Sequence, residues 1–230
     1  MASIKHKLAI YDMDRTVTVR GTYTPFLLFM ARRMAPWRLI LAPLVLFVMG
    51  AYAAKIISRK RLKEINMALL MGSHLSPERL APHLEAYGDH VAAKNLHPGA
   101  KARIAEDQAA GYRVALCTAS YSLYVKAIAA RVGIAPEDVI GTELATDDAG
   151  RIIPHIIGKN CYDDAKIGRM LGWMDAIGAP REESYVRTYS DHISDAPMLE
   201  FADEPFAANP SPKMRALAEK RGWPILDFSK

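Results

Sequence analysis

Two carboxylates stand two residues apart in Leu8-Ala9-Ile10-Tyr11-Asp12-Met13-Asp14-Arg15-Thr16, just past an apolar run. Side chains alternate along a strand. Where a strand yields to a loop, however, Asp12 and Asp14 can reach one pocket, one attacking and the other moving protons, with room for a metal between them. The same segment also reads as a strand entering a polar turn, where Asp is common. A second pair of carboxylates follows another strand-like run, where Val186-Arg187-Thr188-Tyr189-Ser190 leads into Asp191-His192-Ile193-Ser194-Asp195. Between the pairs, Arg113-Val114-Ala115-Leu116-Cys117 closes on Thr118-Ala119-Ser120, and Lys166 follows Asp163-Asp164-Ala165 at a predicted helix start. Taken singly, each has a structural explanation. Lys166 reads as a surface lysine, Thr118 as a helix cap with Ser120 its rival for a ligand, and Asp191 and Asp195 as acids at a helix N-terminus.

The order of the four clusters resembles the haloacid dehalogenase superfamily of phosphotransferases, with its D-x-D-x-T, strand-end Ser or Thr, Lys and D-x-x-x-D motifs. The later Asp195-Ala196-Pro197-Met198-Leu199, Asn209-Pro210 and Gly222-Trp223-Pro224 resemble the phosphoserine phosphatase-like subgroup, and the likeness runs from Leu8 to Pro224. A carboxylate can serve as a nucleophile, dividing one difficult transfer into two easier ones through an aspartyl-phosphate. The resemblance assigns that attack to Asp12 and the general acid–base role to Asp14, with Thr16 holding Asp14 and its loop. It places Thr118 and Ala119 on the phosphoryl oxygens, with Lys166 neutralising their charge. It also implies Mg²⁺ on Asp12, the main-chain carbonyl of Asp14 and Asp191, supported by Asp195; a hard cation of this kind favours carboxylate, phosphate and water oxygens. Many relatives carry Gly before and Ser after the fourth-motif Asp, where this chain has Ser190 and His192. No catalytic role is assigned to His192.

Strand-like runs near Val114, Val139, Ile152, Val186 and Phe206 are separated by helical stretches at 101–110 and 123–132. Such alternation predicts an α/β fold, a Rossmann-like and mostly parallel sheet with helices on both faces. Ligands of such sheets sit beyond the carboxyl ends of the strands, where Asp12, Thr118 and Asp191 fall. An α-helical cap is expected after the first strand, giving a core of 1–20 and 97–230 with a cap of 21–96. The 230 residues suffice for a full core and a small accessory domain. Two cysteines, Cys117 and Cys161, provide no disulfide framework. With Met1-Ala2-Ser3-Ile4-Lys5-His6-Lys7 leading straight into the first strand, a cytoplasmic location without a cleaved leader is expected.

Residues 15–63 hold ten basic side chains and no acidic one, in a chain whose net charge is only +5, so the basic character belongs to the cap. Residues 39–54 form an uncharged, mostly apolar run of 16, interrupted by Pro43 and Gly50. A spanning helix needs about 20 apolar residues. The run therefore suits either a helix covered on all sides within the cap or a dimer interface, or one lying against an anionic membrane surface, in which case the protein would sit peripherally on the inner face. The resemblance implies a Glu nine residues after the nucleophile in phosphoserine phosphatases, which helps to recognise the substrate amino group. Gly21 stands there, so an anionic or amphiphilic phosphomonoester, such as a lipid phosphate of the phosphatidylglycerophosphate type, fits better. The alternatives are a small soluble ester, phosphoserine-like or histidinol phosphate-like, and a basic interaction module on a degenerate phosphatase fold. Arg59-Lys60-Arg61 could meet a nucleic-acid backbone, but no aromatic interleaving accompanies it. His83, His90 and His97 recur every seven residues, too widely for adjacent metal ligands on one helix.

Overall fold

The computed structural model describes residues 4–162 and 164–229. In chain order the elements are β1 (His6–Tyr11), α1 (Tyr23–Met34), a 3-10 segment (Pro36–Leu41), α2 (Ala42–Ala53), α3 (Arg59–Leu70) and α4 (Pro77–Lys94). Next come α5 (Pro98–Ala109), β2 (Arg113–Tyr121), α6 (Ser122–Ala130), β3 (Val139–Thr142), β4 (Leu144–Thr146), β5 (Ile152–Ile156) and α7 (Asp164–Ala176). The chain closes with β6 (Ser184–Ser190), α8 (Ala196–Phe201), β7 (Glu204–Ala208), α9 (Pro212–Arg221) and β8 (Ile225–Leu226).

Six strands form one sheet in the order β3-β2-β1-β6-β7-β8, every neighbouring pair parallel. Their apolar runs are nearly continuous because helices cover both faces. Alternate residues of β1 serve different cores. Ala9 and Tyr11 join the layer that includes Phe26, Tyr87 and Tyr124, whereas Leu8 and Ile10 join the one under Met170, Met198 and Met214. The chain winds outward from β1 through β2 to β3, then returns to β6 on the other flank, so the direction reverses at β1. A crevice opens there, at the carboxyl ends of β1, β2 and β6. The expectation that the strand at Ile152 belongs to the parallel sheet is corrected: β5 pairs antiparallel with β4 in a separate two-stranded sheet. A five-residue strand names its own type but not its partner.

Between β1 and α5 the chain is helical. It leaves and returns at one place, where Thr18 and Leu96 form an antiparallel bridge and Arg20 and Asn95 exchange two hydrogen bonds, of 2.9 and 3.0 Å. Serines start two of these helices: Ser58 accepts from Arg61 N at 3.2 Å for α3 and Ser76 from Arg79 N at 3.3 Å for α4, each satisfying an amide that the helix leaves open. Gly88 lets α4 press against α6, since a Cβ there would lie 2.7 Å from the Ala127 carbonyl oxygen.

The apolar helix α2 differs from the covered-helix reading. Only Val48 of its twelve residues is buried, and of Pro36–Ala53, a stretch long and apolar enough by composition to cross a membrane, 6 % is buried. A helix apolar on every face looks the same in sequence whether protein or something else covers it.

Candidate active site

Asp12 is the first residue beyond β1, and its amide donates to the Tyr189 carbonyl at 2.8 Å, prolonging the ladder with β6. This fixes Asp12 at the mouth of the crevice, directly beside Asp191, the first residue beyond β6. Lys166, near the start of α7, reaches across to donate to Asp12 Oδ1 at 2.6 Å and Asp195 Oδ2 at 2.7 Å. Ser190 Oγ donates to the same Asp195 oxygen at 2.7 Å. Thr16 Oγ1 lies 3.2 Å from Asp12 Oδ2 and 3.5 Å from Asp191 Oδ1, and accepts from the Asp191 amide at 3.0 Å. Thr16 therefore ties Asp12 to Asp191, where the resemblance implies that it holds Asp14.

Asp14 has different partners. Its Oδ1 accepts from Thr22 N and Thr22 Oγ1 at 2.7 and 2.8 Å, and its Oδ2 from Ser120 Oγ at 2.8 Å. Ser120, the rival for a ligand, is thereby engaged. Thr118 caps no helix, because β2 runs on to Tyr121. Thr118 and Ala119 instead line one cavity of ≈ 370 Å³ together with Asp12, Asp14, Lys166, Asp191 and Asp195. All eight residues singled out in the sequence are thus gathered around this cavity, with Thr16 bonded behind it.

The charge balance is lopsided. Asp12, Asp191 and Asp195 are all buried, as is Lys166. Burial alone would lower the Lys166 ammonium, but the carboxylates of Asp12 and Asp195 outweigh it and hold the group protonated, well above its ordinary range. Burial pushes Asp12 up, Lys166 opposes the shift, and Asp195 and Asp191 reinforce it. Asp191 is pushed up to about 6 by burial and by Asp195, against the pull of Arg15 and Lys166. Within this buried cluster three carboxylates surround one ammonium, an excess of negative charge that a divalent cation would offset, while Arg15 and Arg59 add positive charge at the cavity wall. Among the described residues no three His, Cys, Asp or Glu side chains form a metal cage. What fits is a partly open, all-oxygen site, with Asp12 and Asp191 oxygens converging on the Thr16 hydroxyl, of the kind that suits a hard cation keeping water or phosphate ligands.

Several lining residues lie outside the site that the sequence predicts. Arg59, from α3, stacks its guanidinium 3.8 Å from the Tyr162 ring centroid, and both line the cavity with Arg15, His192 and Ser194. Lys63, one turn further along α3 and buried, donates to the Ala119 carbonyl at 2.5 Å and Asn160 Oδ1 at 2.9 Å. Burial pushes its ammonium down to about 8, against the attraction of Asp14. The Arg59-Lys60-Arg61 run is not a free basic patch, since Arg59 bonds Tyr52 and Lys60 donates to the Gly158 carbonyl at 3.0 Å. His83 and His90 lie on α4, and His97 lies outside it.

The fold is that of an α/β protein with a mostly parallel sheet, carrying paired carboxylates and a lysine at its reversal point. The chain belongs to the haloacid dehalogenase-like hydrolase family, whose profile matches residues 9–200. It is a phosphatase of that family. It is 29 % identical over 164 residues to a histidinol-phosphatase of Neisseria meningitidis serogroup C, covering 67 % of this chain and 72 % of that protein. A protein of unknown function from Bordetella pertussis Tohama I has a crystal structure with TM-score 0.84 and 28 % identity, covering 97 % of this chain and 99 % of that one. A phosphoserine phosphatase solved with substrate bound shares the fold at TM-score 0.60 and 17 % identity, over 98 % and 94 % of the two chains.

Proposed function

We propose that the protein hydrolyses phosphomonoesters through an aspartyl-phosphate on Asp12, with Mg²⁺ as cofactor and residues 21–96 acting as a cap over a core of 1–20 and 97–230. The observation that carries this reading is the placement of Asp12 at the cavity mouth, one oxygen on Lys166 and the other beside Thr16 and Asp191. In the first step an Asp12 oxygen attacks phosphorus, the bond to the ester oxygen breaks, and Asp14 delivers a proton to that oxygen. In the second, Asp14 takes a proton from water as the water attacks the phosphoryl-aspartate, releasing phosphate and restoring Asp12. Lys166 faces the accumulating negative charge, while Thr118 and the Ala119 amide supply hydrogen bonds to the phosphoryl oxygens. When bound on Asp12, the Asp14 carbonyl and Asp191, Mg²⁺ would supply electrostatic stabilisation of the transferring group, the largest need of phosphoryl transfer.

For the substrate, the cationic lining of Arg15 and Arg59 supports an ester with further anionic character, and the exposed apolar α2 supports an amphiphilic one. A lipid phosphate of the phosphatidylglycerophosphate type meets both descriptions. The second reading, a small soluble ester such as histidinol phosphate, draws on the name of the Neisseria relative. Hydrolysis rates for purified protein with Mg²⁺ against matched soluble and micellar phosphomonoesters separate the two. A preference of kcat/KM for the soluble ester overturns the amphiphilic reading.

A further inference from the structure

The surface of the helical insert carries large apolar side chains in open solvent. Trp37 is 65 % exposed, Ile40 79 %, Leu46 67 %, Phe47 73 % and Ile56 76 %. They come from three consecutive pieces, the 3-10 segment, α2 and the turn that follows it. Isolated exposed apolar residues are ordinary, whereas several within one short stretch of chain mark a surface that meets something. The exposed bases Arg32, Arg33, Lys55 and Arg61 flank the same pieces, and no acidic residue occurs anywhere in 15–63.

We propose that this lobe, residues 37–56, docks the protein on an anionic lipid surface. The rim decides among occupants. A second copy meeting the same patch about a two-fold axis would set these bases against themselves, with no acid in the stretch to answer them. Anionic headgroups above an apolar layer answer both the charge and the side chains. The lobe lies in the interface without crossing it. The stretch Pro36–Ala53 is long and apolar enough by composition to cross, but only Ala42–Ala53, twelve residues and about 18 Å at 1.5 Å per residue, is α-helical, against about 30 Å of hydrocarbon. Both of its ends return to the insert, through α1 and α3.

The docked lobe is coupled to chemistry through one contact. Tyr52, in the last turn of α2, accepts a hydrogen bond from Arg59 Nε at 3.3 Å, and Arg59 lines the active-site cavity. A phosphate presented at a lipid surface would thus meet the cavity beside the lobe. The inference rests on the phosphatase reading for its purpose only, since lipid docking is measurable without turnover.

The test is co-sedimentation of the full-length protein with phosphatidylglycerol-containing and with pure phosphatidylcholine vesicles at low and high salt. It is run beside the triple variant Ile40→Ser/Leu46→Ser/Phe47→Ser, with p-nitrophenyl phosphate hydrolysis measured in parallel. The parent is expected to prefer anionic vesicles, with partitioning that falls about tenfold in high salt but persists. The variant should lose about 100-fold or more of the partitioning while keeping its aryl phosphate turnover. No vesicle binding by the parent, equal binding by parent and variant, or a parent dimer in solution that the variant dissolves would each overturn the proposal. Absent aryl phosphate turnover with intact vesicle binding would strike the phosphatase mechanism and leave the docking surface standing.

Discussion

Thr22 holds Asp14 through two atoms at once, its amide at 2.7 Å and its hydroxyl at 2.8 Å from Asp14 Oδ1. Thr22 stands at the N-cap of α1, yet its side chain makes no cap bond to the helix. The hydroxyl is instead committed to the carboxylate, with Tyr124 OH 2.9 Å behind it. The first helix of the insert therefore positions the proposed acid–base group. Thr22→Val keeps the amide contact and removes the hydroxyl. Losing one such bond, worth about 0.5–1.5 kcal/mol, should lower kcat about tenfold with KM nearly unchanged, and Thr22→Ser should restore it. Steady-state kinetics of the two variants decide the matter; equal kcat for Thr22→Val and parent would remove the positioning role.

Lys166 is 3 % exposed in its side chain and bridges two carboxylates. Lys166→Met removes the cation and leaves Asp12 and Asp195 buried beside one another. Breaking a buried pair in this way costs about 3–5 kcal/mol, so the denaturant midpoint should fall markedly without Mg²⁺, and Mg²⁺ should recover part of the loss. A midpoint unchanged by the substitution would contradict the charge balance described for the site.

Acid should loosen the metal. The ordinary aspartate value is 3.8 and Asp191 in the folded, metal-free protein is raised to about 6. Between these values the folded chain holds a proton that the unfolded chain has released, so metal-free stability should decline as pH rises from about 4 to about 6. Mg²⁺ bound at Asp191, as proposed, would displace that proton, so below pH 6 its affinity should drop about tenfold per unit. Calorimetric titration of Mg²⁺ between pH 5 and 7.5 measures the slope. EDTA should abolish activity and Mg²⁺ restore it, while Asp191→Asn should raise the Mg²⁺ requirement. Activity indifferent to chelator would exclude the metal.

How far the sequence could be read depended on whether residue type and position carried the information. Asp12, Asp191 and Lys166 were legible because a carboxylate just past an apolar strand, or a lysine at a helix start, has few structural uses in combination. The direction of Thr16 was not, since a hydroxyl four residues from Asp12 can turn toward either carboxylate, and only the packing of β1 beside β6 brings Asp191 within its reach. Arg59 and Lys63 were hidden for a related reason. The stretch Arg59-Lys60-Arg61-Leu62-Lys63 is basic on several faces, so nothing in it says which side meets the cavity. The parallel sheet was legible from its apolar runs, whereas the departure of β5 depended on a partner strand, β4, of only three residues.

Gly88 sets two effects against each other. Alanine is favoured over glycine in a helix by about 1 kcal/mol, but its Cβ would stand 2.7 Å from a backbone carbonyl of α6 that cannot swing aside. Overpacking of this kind costs about 1–3 kcal/mol, and both contact partners are helix backbones, so the clash should win. Gly88→Ala is expected to lower Tm by several degrees; a rise in Tm would mean that α4 moves off α6 at little cost.

The most direct test of the account is whether Asp12 carries the phosphoryl group. Purified protein turning over a phosphomonoester with Mg²⁺ is quenched in acid, digested, and the peptide containing Asp12 weighed by mass spectrometry. The account predicts a phosphoryl adduct on that aspartate during turnover, absent from Asp12→Asn, which should fold and release no phosphate. Sustained phosphate release by Asp12→Asn, or an adduct on another residue, would contradict it.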